Sequence, residues 1–305
     1  MSGIAGMLTE QIVAMLLMMM VGFALIRTHL IDDEGVAQMS KVVLYVAGPA
    51  ITIRSFAVDF NTEMLVGGLA CFVFAFVLTY VCVVISRFFF TPDQTLARAS
   101  VIFTNVGFIS IALVLTVLGP DCIIYISMFI AGNVLLTWTY GVLLVSGDRS
   151  EISFEKVLTN PAVIAVGVGM ILFFFSIKMP PLIEISMNAL ADINTGLAMV
   201  ILGSYLGMTD LRSLVRDRSI YKITFVRLII LPLICLGIIY LIPFLSTDVK
   251  LVLVIAMAAP TGAIVAMYAQ LFDKDYRYAA GVVAFTTVLS VISMPILFSL
   301  AAAIL

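Results

Sequence analysis

Residues 249–272 read VKLVLVIAMAAPTGAIVAMYAQLF, and residues 97–118 read ARASVIFTNVGFISIALVLTVL. Each is an apolar run of membrane-crossing length, because a bilayer core of about 30 Å takes about 20 residues of helix. Each is also interrupted near its middle, by Pro260-Thr261-Gly262 and by Asn105-Val106-Gly107. Proline lacks a backbone N–H and crowds the preceding turn, and glycine adds backbone freedom that a helix must remove. A broken helix at membrane depth is tolerated only where it faces protein or a water-filled cavity. The N-termini of the second half-helices then present free N–H groups and partial positive charge, which suits an anionic ligand. The plainer alternative is a pair of ordinary kinks in a packed bundle.

The rest of the chain agrees with a lipid solvent. Of 305 residues, 63% are apolar and 11% charged, with a mean hydropathy of +1.22. Soluble domains average about 45–50% apolar and about 25% charged residues. This excludes a cytosolic enzyme, a nucleic-acid-binding domain and a secreted disulfide scaffold. A net charge of −2 carries no basic field for nucleic acid. Cys71, Cys82, Cys122 and Cys235 stand singly in apolar runs and read as small hydrophobes, and no metal set is expected. His29 reads as a solvated loop residue. The first run, after Glu10, lacks a basic leader and a small-residue cleavage site, so it reads as a retained helix.

Ten runs can be marked off, over 8–27, 37–57, 64–86, 97–118, 122–145, 157–177, 184–208, 220–242, 249–272 and 278–304. The expected fold is an all-α polytopic membrane protein of ten transmembrane helices, and the long continuous runs exclude a β-barrel. The longest connectors are 147–156 and 209–222. Loops after odd-numbered helices hold twelve of the sixteen Lys and Arg residues: Arg27, Lys41, Arg87, Arg98, Arg149, Lys156, Arg212, Arg216, Arg218, Lys222, Lys274 and Arg277. The other side holds Arg54, Lys178 and Lys250, and Arg227 falls within helix eight. This asymmetry places the odd loops in the cytoplasm and both termini outside the inner membrane. Five helices per half, 1–147 and 148–305, make a 5+5 inverted repeat with broken crossover helices four and nine. Without gaps, residues 22–49 overlay 169–196, and Asn105-Val106-Gly107 overlays Pro260-Thr261-Gly262.

Polar groups at membrane depth are candidates for function. Asn105 can donate two hydrogen bonds to a carboxylate, or can cap the broken half-helix. Thr104 and Thr261 flank the breaks, where a hydroxyl bonded back onto its own helix is the simpler expectation. Gly107, Pro260 and Gly262 shape the crossover. Asn133, Thr286, Thr287 and Ser290 either line the site or bond between helices. Asp192, two residues before Asn194, is the candidate for ion coupling; its alternative is an interfacial carboxylate facing water. Arg54 and Arg227 could each attract an anion, and both lie within snorkelling reach of an interface. The basic cluster between Arg212 and Lys222 reads as a topology signal in contact with anionic lipid.

These elements resemble the auxin efflux carrier family, within the bile-acid/arsenite/auxin-type transporters. The resemblance is carried by Gly22-Phe23 through Leu30-Ile31-Asp32, by Lys41 leading to Gly48-Pro49-Ala50, and by Thr104-Asn105-Val106-Gly107-Phe108-Ile109. It continues in Asn160-Pro161-Ala162, Gly203-Ser204-Tyr205-Leu206 and Ala258-Ala259-Pro260-Thr261-Gly262-Ala263. It implies a scaffold of helices 1, 2, 6 and 7, often dimeric, and a moving transport domain of helices 3–5 and 8–10. It also implies export of auxin in plants and carriage of small carboxylates in bacteria. This chain departs from the family in lacking a proline at the first crossover and the long cytoplasmic loop of plant exporters.

No GxSxG, HExxH, P-loop or paired carboxylate is present, so no enzyme is expected. The expectation is a secondary transporter or facilitator of a small organic anion, working by elevator-like alternating access, with H⁺ or Na⁺ coupling and no cofactor. A sodium-coupled bile-acid-type symporter and a non-transporting membrane sensor or assembly protein are the alternatives. The expected partners are the anion, the lipid bilayer and a second copy in a homodimer, with no nucleic acid.

Overall fold

The computed structural model describes residues 2–57, 62–149, 155, 158–210, 212 and 216–305. Among these residues the chain is all-helical and has no strand. In order, the helices are α1 (Ser2–Arg27), α2 (Asp33–Ser55), α3 (Thr62–Phe89), α4a (Thr95–Ile102) and α4b (106–117). There follow α5 (Ile123–Ser146), α6 (Pro161–Phe174), α7 (Pro181–Gly207), α8 (Arg218–Tyr240), α9a (Thr247–Ala258), α9b (Ile264–Leu271) and α10 (Tyr276–Ile304). Six of these, α2, α3, α5, α7, α8 and α10, are long and apolar enough to cross a membrane. Apolar segments also occur at Val13–Arg27 and in α6, while the fourth and ninth runs are each divided in two.

Local capping moves several boundaries away from the hydropathy pattern. Asp32 accepts the Gly35 N–H at 2.8 Å, so α2 starts at Asp33 and not at 37. Asn160 accepts the Ala162 N–H at 2.9 Å with Pro161 at the first helical position, which starts α6 inside the run read as 157–177. Asp217 accepts the Ser219 N–H at 2.8 Å, so the connector read as 209–222 ends there and Arg218 and Lys222 belong to α8. Arg98, expected on the loop side, lies one turn inside α4a and is buried. Lys156 lies outside the described residues.

Small residues let the helix backbones close on one another. A Cβ on Gly203 would sit 1.8 Å from the Met19 carbonyl oxygen, and one on Gly22 would sit 1.9 Å from that of Val200. The hydroxyl of Ser204 donates to the Gly22 carbonyl at 3.1 Å. This holds α1 against α7 through backbone contact, as expected where lipid supplies no hydrophobic drive between helices.

Two prolines are absorbed by widened π turns. Pro49 follows the π turn Val43–Ala47 in α2, and Pro232 follows Val226–Ile230 in α8. In each case the carbonyl that the proline ring crowds, four residues back, lies inside the widened turn.

Candidate functional site

The two breaks meet. Phe103 and Ala259 leave the helices with extended backbone, and the chains pass each other antiparallel at Thr104 and Thr261. Asn105 N–H donates to the Pro260 carbonyl, and Gly262 N–H to the Phe103 carbonyl, each at 2.9 Å. The crossing sets Thr104 against Thr261 and Asn105 against Pro260. The threonine hydroxyls do not bond to their own helices. Thr104 donates to the Ala256 carbonyl and Thr261 to the Ser100 carbonyl, both at 2.8 Å, so each stitches its break to the opposite half-helix. Thr286 accepts the Thr261 N–H at 3.3 Å. A Cβ on Gly262 would lie 3.1 Å from the Thr104 carbonyl oxygen, so the crossing leaves little room for a side chain there.

Arg227 lies behind the crossing. It is fully buried, and so does not snorkel to an interface as the sequence suggested. It lies nine residues past the start of α8, which is about 14 Å at 1.5 Å per residue, beyond easy reach of water. Nη1 donates to Val101 at 3.1 Å, Nη2 to Met257 at 3.0 Å and to Ala259 at 2.8 Å, and Nε to Ala259 at 3.1 Å. These carbonyls belong to the last turns of α4a and α9a, where no intrahelical donor is available. One guanidinium thus closes the C-termini of both half-helices, and among the described residues no carboxylate pairs with it.

In front of the crossing is a cavity of about 130 Å³. Asn105, Gly107 and Gly262 line it, as do Asn133 and Thr137 on α5, Thr52 on α2 and Asn194 on α7. Asn105 is 2% exposed, and its Nδ2 has no hydrogen-bond partner among the described residues. A Cβ on Gly107 would meet nothing within 4 Å, so the glycine leaves the space open. The N-termini of α4b and α9b lie at the cavity wall through Val106, Gly107, Ala263 and Ile264. A sequence model of the family described as "Membrane transport protein" matches residues 7–298. The chain belongs to this family, the auxin efflux carriers. It is 22% identical over 303 residues to an "Uncharacterized transporter" of Methanothermobacter thermautotrophicus (strain ATCC 29096 / DSM 1053 / JCM 10044 / NBRC 100330 / Delta H), covering 94% of this chain and 96% of that one.

Within this membrane transport protein, the sequence-predicted residues fall into two groups. Thr104, Asn105, Gly107, Asn133 and Gly262 come together at the cavity. Pro260 and Thr261 build the crossing behind it, and Thr287 is buried on α10 with its hydroxyl on the Val283 carbonyl at 2.7 Å. Asn133 is tied to Thr137, whose hydroxyl lies 3.0 Å from its Oδ1. Asp192 is elsewhere. Its side chain is 70% exposed and forms an ion pair with Arg54. Asn194, two residues on, is the member of that pair that faces the cavity. Arg227, Thr52 and Thr137 were not among the expected site residues.

The two ends of the transporter differ. Beside the end of α2 and the start of α7 opens a cavity of about 490 Å³, lined by Phe56, Met64, Asp121, Lys178 and Glu184 among others. At the opposite end, α2 and α7 are joined to α9b and α10. The Tyr205 hydroxyl donates to Gln270 Oε1 at 2.5 Å, and Ser40 Oγ lies 2.7 Å from the Tyr205 oxygen. Asp33 accepts from Tyr276 at 3.1 Å and from Arg277 at 3.3 Å. Trp138 stands between Tyr45 and Tyr268, with ring centroids 5.7 and 5.1 Å away.

Proposed function

We propose that this chain is a secondary carrier of a small organic anion of the carboxylate class, working by alternating access across the cytoplasmic membrane. The observation that carries the reading is the unpartnered Nδ2 of buried Asn105, in a cavity walled by two half-helix N-termini. Each helix end carries about half an elementary charge. Arg227 supplies one positive charge against the two negative C-terminal ends of α4a and α9a, leaving the two positive N-terminal ends of α4b and α9b without a counter-charge. An anion supplies it. A volume of about 130 Å³ is well below the roughly 300–1,000 Å³ of pockets for drug-sized ligands, which favours a compact carboxylate over a bulky amphiphile.

In this reading, residues 1–147 and 148–305 are inverted five-helix halves with both termini extracytoplasmic. The scaffold is α1, α2, α6 and α7, and the rest moves elevator-like against it. The cavity lies between the two groups, with walls from α2, α6 and α7 on one side and α4b, α5 and α9b on the other. Coupling to H⁺ or Na⁺ and a scaffold-mediated homodimer complete the proposal. The test is flux of radiolabelled C3–C5 carboxylates into proteoliposomes under imposed proton, sodium and voltage gradients. Saturable flux that is lost in Asn105→Ala supports the reading. No flux under any gradient, or full flux in that variant, overturns it.

A further inference from the structure

The cavity in front of the crossing holds more unsatisfied polarity than one carboxylate uses. Asn105 and Asn133 stand on the wall of α4b, α5 and α9b, and Asn194 and Thr52 on the wall of α2 and α7. Asn133 is 7% and Asn194 3% exposed, as buried as Asn105. Asn133 Oδ1 takes the Thr137 hydroxyl at 3.0 Å, but its Nδ2 has no acceptor among the described residues, and the Asn194 amide has no hydrogen-bond partner there at all. Thr52 gives its hydroxyl proton to the Gly48 carbonyl at 2.9 Å, which leaves its oxygen able to accept. No lining side chain is charged, and the Arg227 guanidinium is taken up by the carbonyls of α4a and α9a.

This lining bounds the ligand in two ways. The N-terminal ends of α4b and α9b together carry about one positive charge, which a single carboxylate balances. A second carboxylate would be buried without a cation, at high cost. A plain alkyl chain fails for another reason. With the carboxylate on the wall of the helix ends, an alkyl remainder would displace water from Asn194 without replacing its hydrogen bonds. A hydroxyl replaces them, because it can accept from Asn194 Nδ2 and donate to Asn194 Oδ1 or to Thr52 Oγ1.

From these groups we infer, on the carrier reading above, that the carried anion is a short monocarboxylate with a hydroxyl on its carbon chain, and that Asn194 selects for the hydroxyl. The carboxylate rests against Asn105, Asn133 and the two half-helix ends. The hydroxyl meets Asn194 on the scaffold wall, so the ligand touches both groups of helices at once.

Four three-carbon acids test the assignment: propionate, lactate, 3-hydroxypropionate and malonate. Each is radiolabelled and its initial flux into proteoliposomes is measured under one gradient, above that of protein-free vesicles. At least one hydroxy acid is expected to exceed both propionate and malonate by about tenfold or more, as for a site built to bond a substrate hydroxyl. In Asn194→Leu and Asn194→Ala the ratio of hydroxy acid to propionate is expected to fall by about tenfold. The ratio is taken within one preparation and does not depend on how much of it has folded. Propionate or malonate carried as fast as both hydroxy acids overturns the assignment and leaves the carrier reading standing, as does an unchanged ratio in the variants. A monodisperse Asn194 variant without any flux would place that residue in the carboxylate's own site and overturn its role as selector. No flux of any carboxylate in the parent overturns the carrier reading and the assignment with it.

Discussion

The guanidinium of Arg227 and the carbonyl oxygen of Ala259 are joined twice, from Nη2 at 2.8 Å and from Nε at 3.1 Å. A buried charge without a carboxylate is expensive unless polar groups surround it, and here the open ends of two helices supply them. The same contact keeps the crossing in register, because Ala259 is the residue at which α9a turns extended.

Arg227→Met is accordingly expected to leave the Val101, Met257 and Ala259 carbonyls buried without donors, at about 1–3 kcal/mol for each group left unsatisfied. The protein should elute as aggregate or melt many degrees lower. Arg227→Lys keeps the charge but cannot span three carbonyls, and should fall between the two. Thermal melting of the three proteins in one detergent checks the order. A Met variant as stable as the parent would contradict the clamp.

Asn105 gives the opposite forecast. Its Nδ2 has no partner among the described residues to lose, so Asn105→Ala should melt close to the parent while carboxylate flux falls by about tenfold or more, as expected for a hydrogen bond to a charged group. A drop in stability without loss of flux would make the residue structural.

The stitching threonines are testable as a pair. Thr104→Val and Thr261→Val each remove a hydroxyl that bonds the opposite half-helix, at about 1 kcal/mol per bond. Both brace one crossing, so the double variant should depart from additivity by about 0.5 kcal/mol or more. Chemical denaturation of the four proteins reads the coupling directly.

How far the sequence discloses this arrangement depends on whether a feature is local. The second break is legible, because Pro260 and Gly262 disfavour helix wherever they stand. The first is legible only by position, since Asn105 and Gly107 break no helix by themselves. The direction of the threonine hydroxyls is not legible, because it depends on which carbonyl the other half brings near. Asp192 and Asn194 are two residues apart, about 200° around the helix axis, and apolar patterning could not say which faced inward. The depth of Arg227 is not legible either, because the carbonyls that bury it, those of Val101, Met257 and Ala259, come from two segments distant in sequence.

Close helix packing gives a prediction of stability alone. A side chain on Gly203 has no space against the Met19 backbone, at 1.8 Å from its carbonyl oxygen to the new Cβ. Gly203→Val should push α1 from α7 and destabilise by about 1–3 kcal/mol or more, as overpacking does. Gly167→Ala, where a Cβ meets nothing within 4 Å, is the matched control and should melt like the parent.

The last prediction concerns the polar contacts at the Asp33 end. Tyr205 on α7, Ser40 on α2 and Gln270 on α9b form a three-way contact in which the Ser40 hydroxyl also donates to Gln270 Oε1 at 3.2 Å, so Tyr205→Phe removes two of its three hydrogen bonds and leaves the ring packed against Tyr276, 5.1 Å away. If α9b must part from α2 and α7 for the cavity to open at this end, losing that oxygen favours the parted state. The native cysteines are all buried, so a cysteine introduced at Thr137 on the cavity wall reports access. In vesicles of known sidedness, Tyr205→Phe should speed labelling of that cysteine from the Asp33 end and slow it from the Glu184 end. Gln270→Leu should do the same, because it breaks the same bridge from the other helix. Labelling faster from both ends would indicate a loosened fold, and unchanged rates from both would show that the bridge does not hold this end shut.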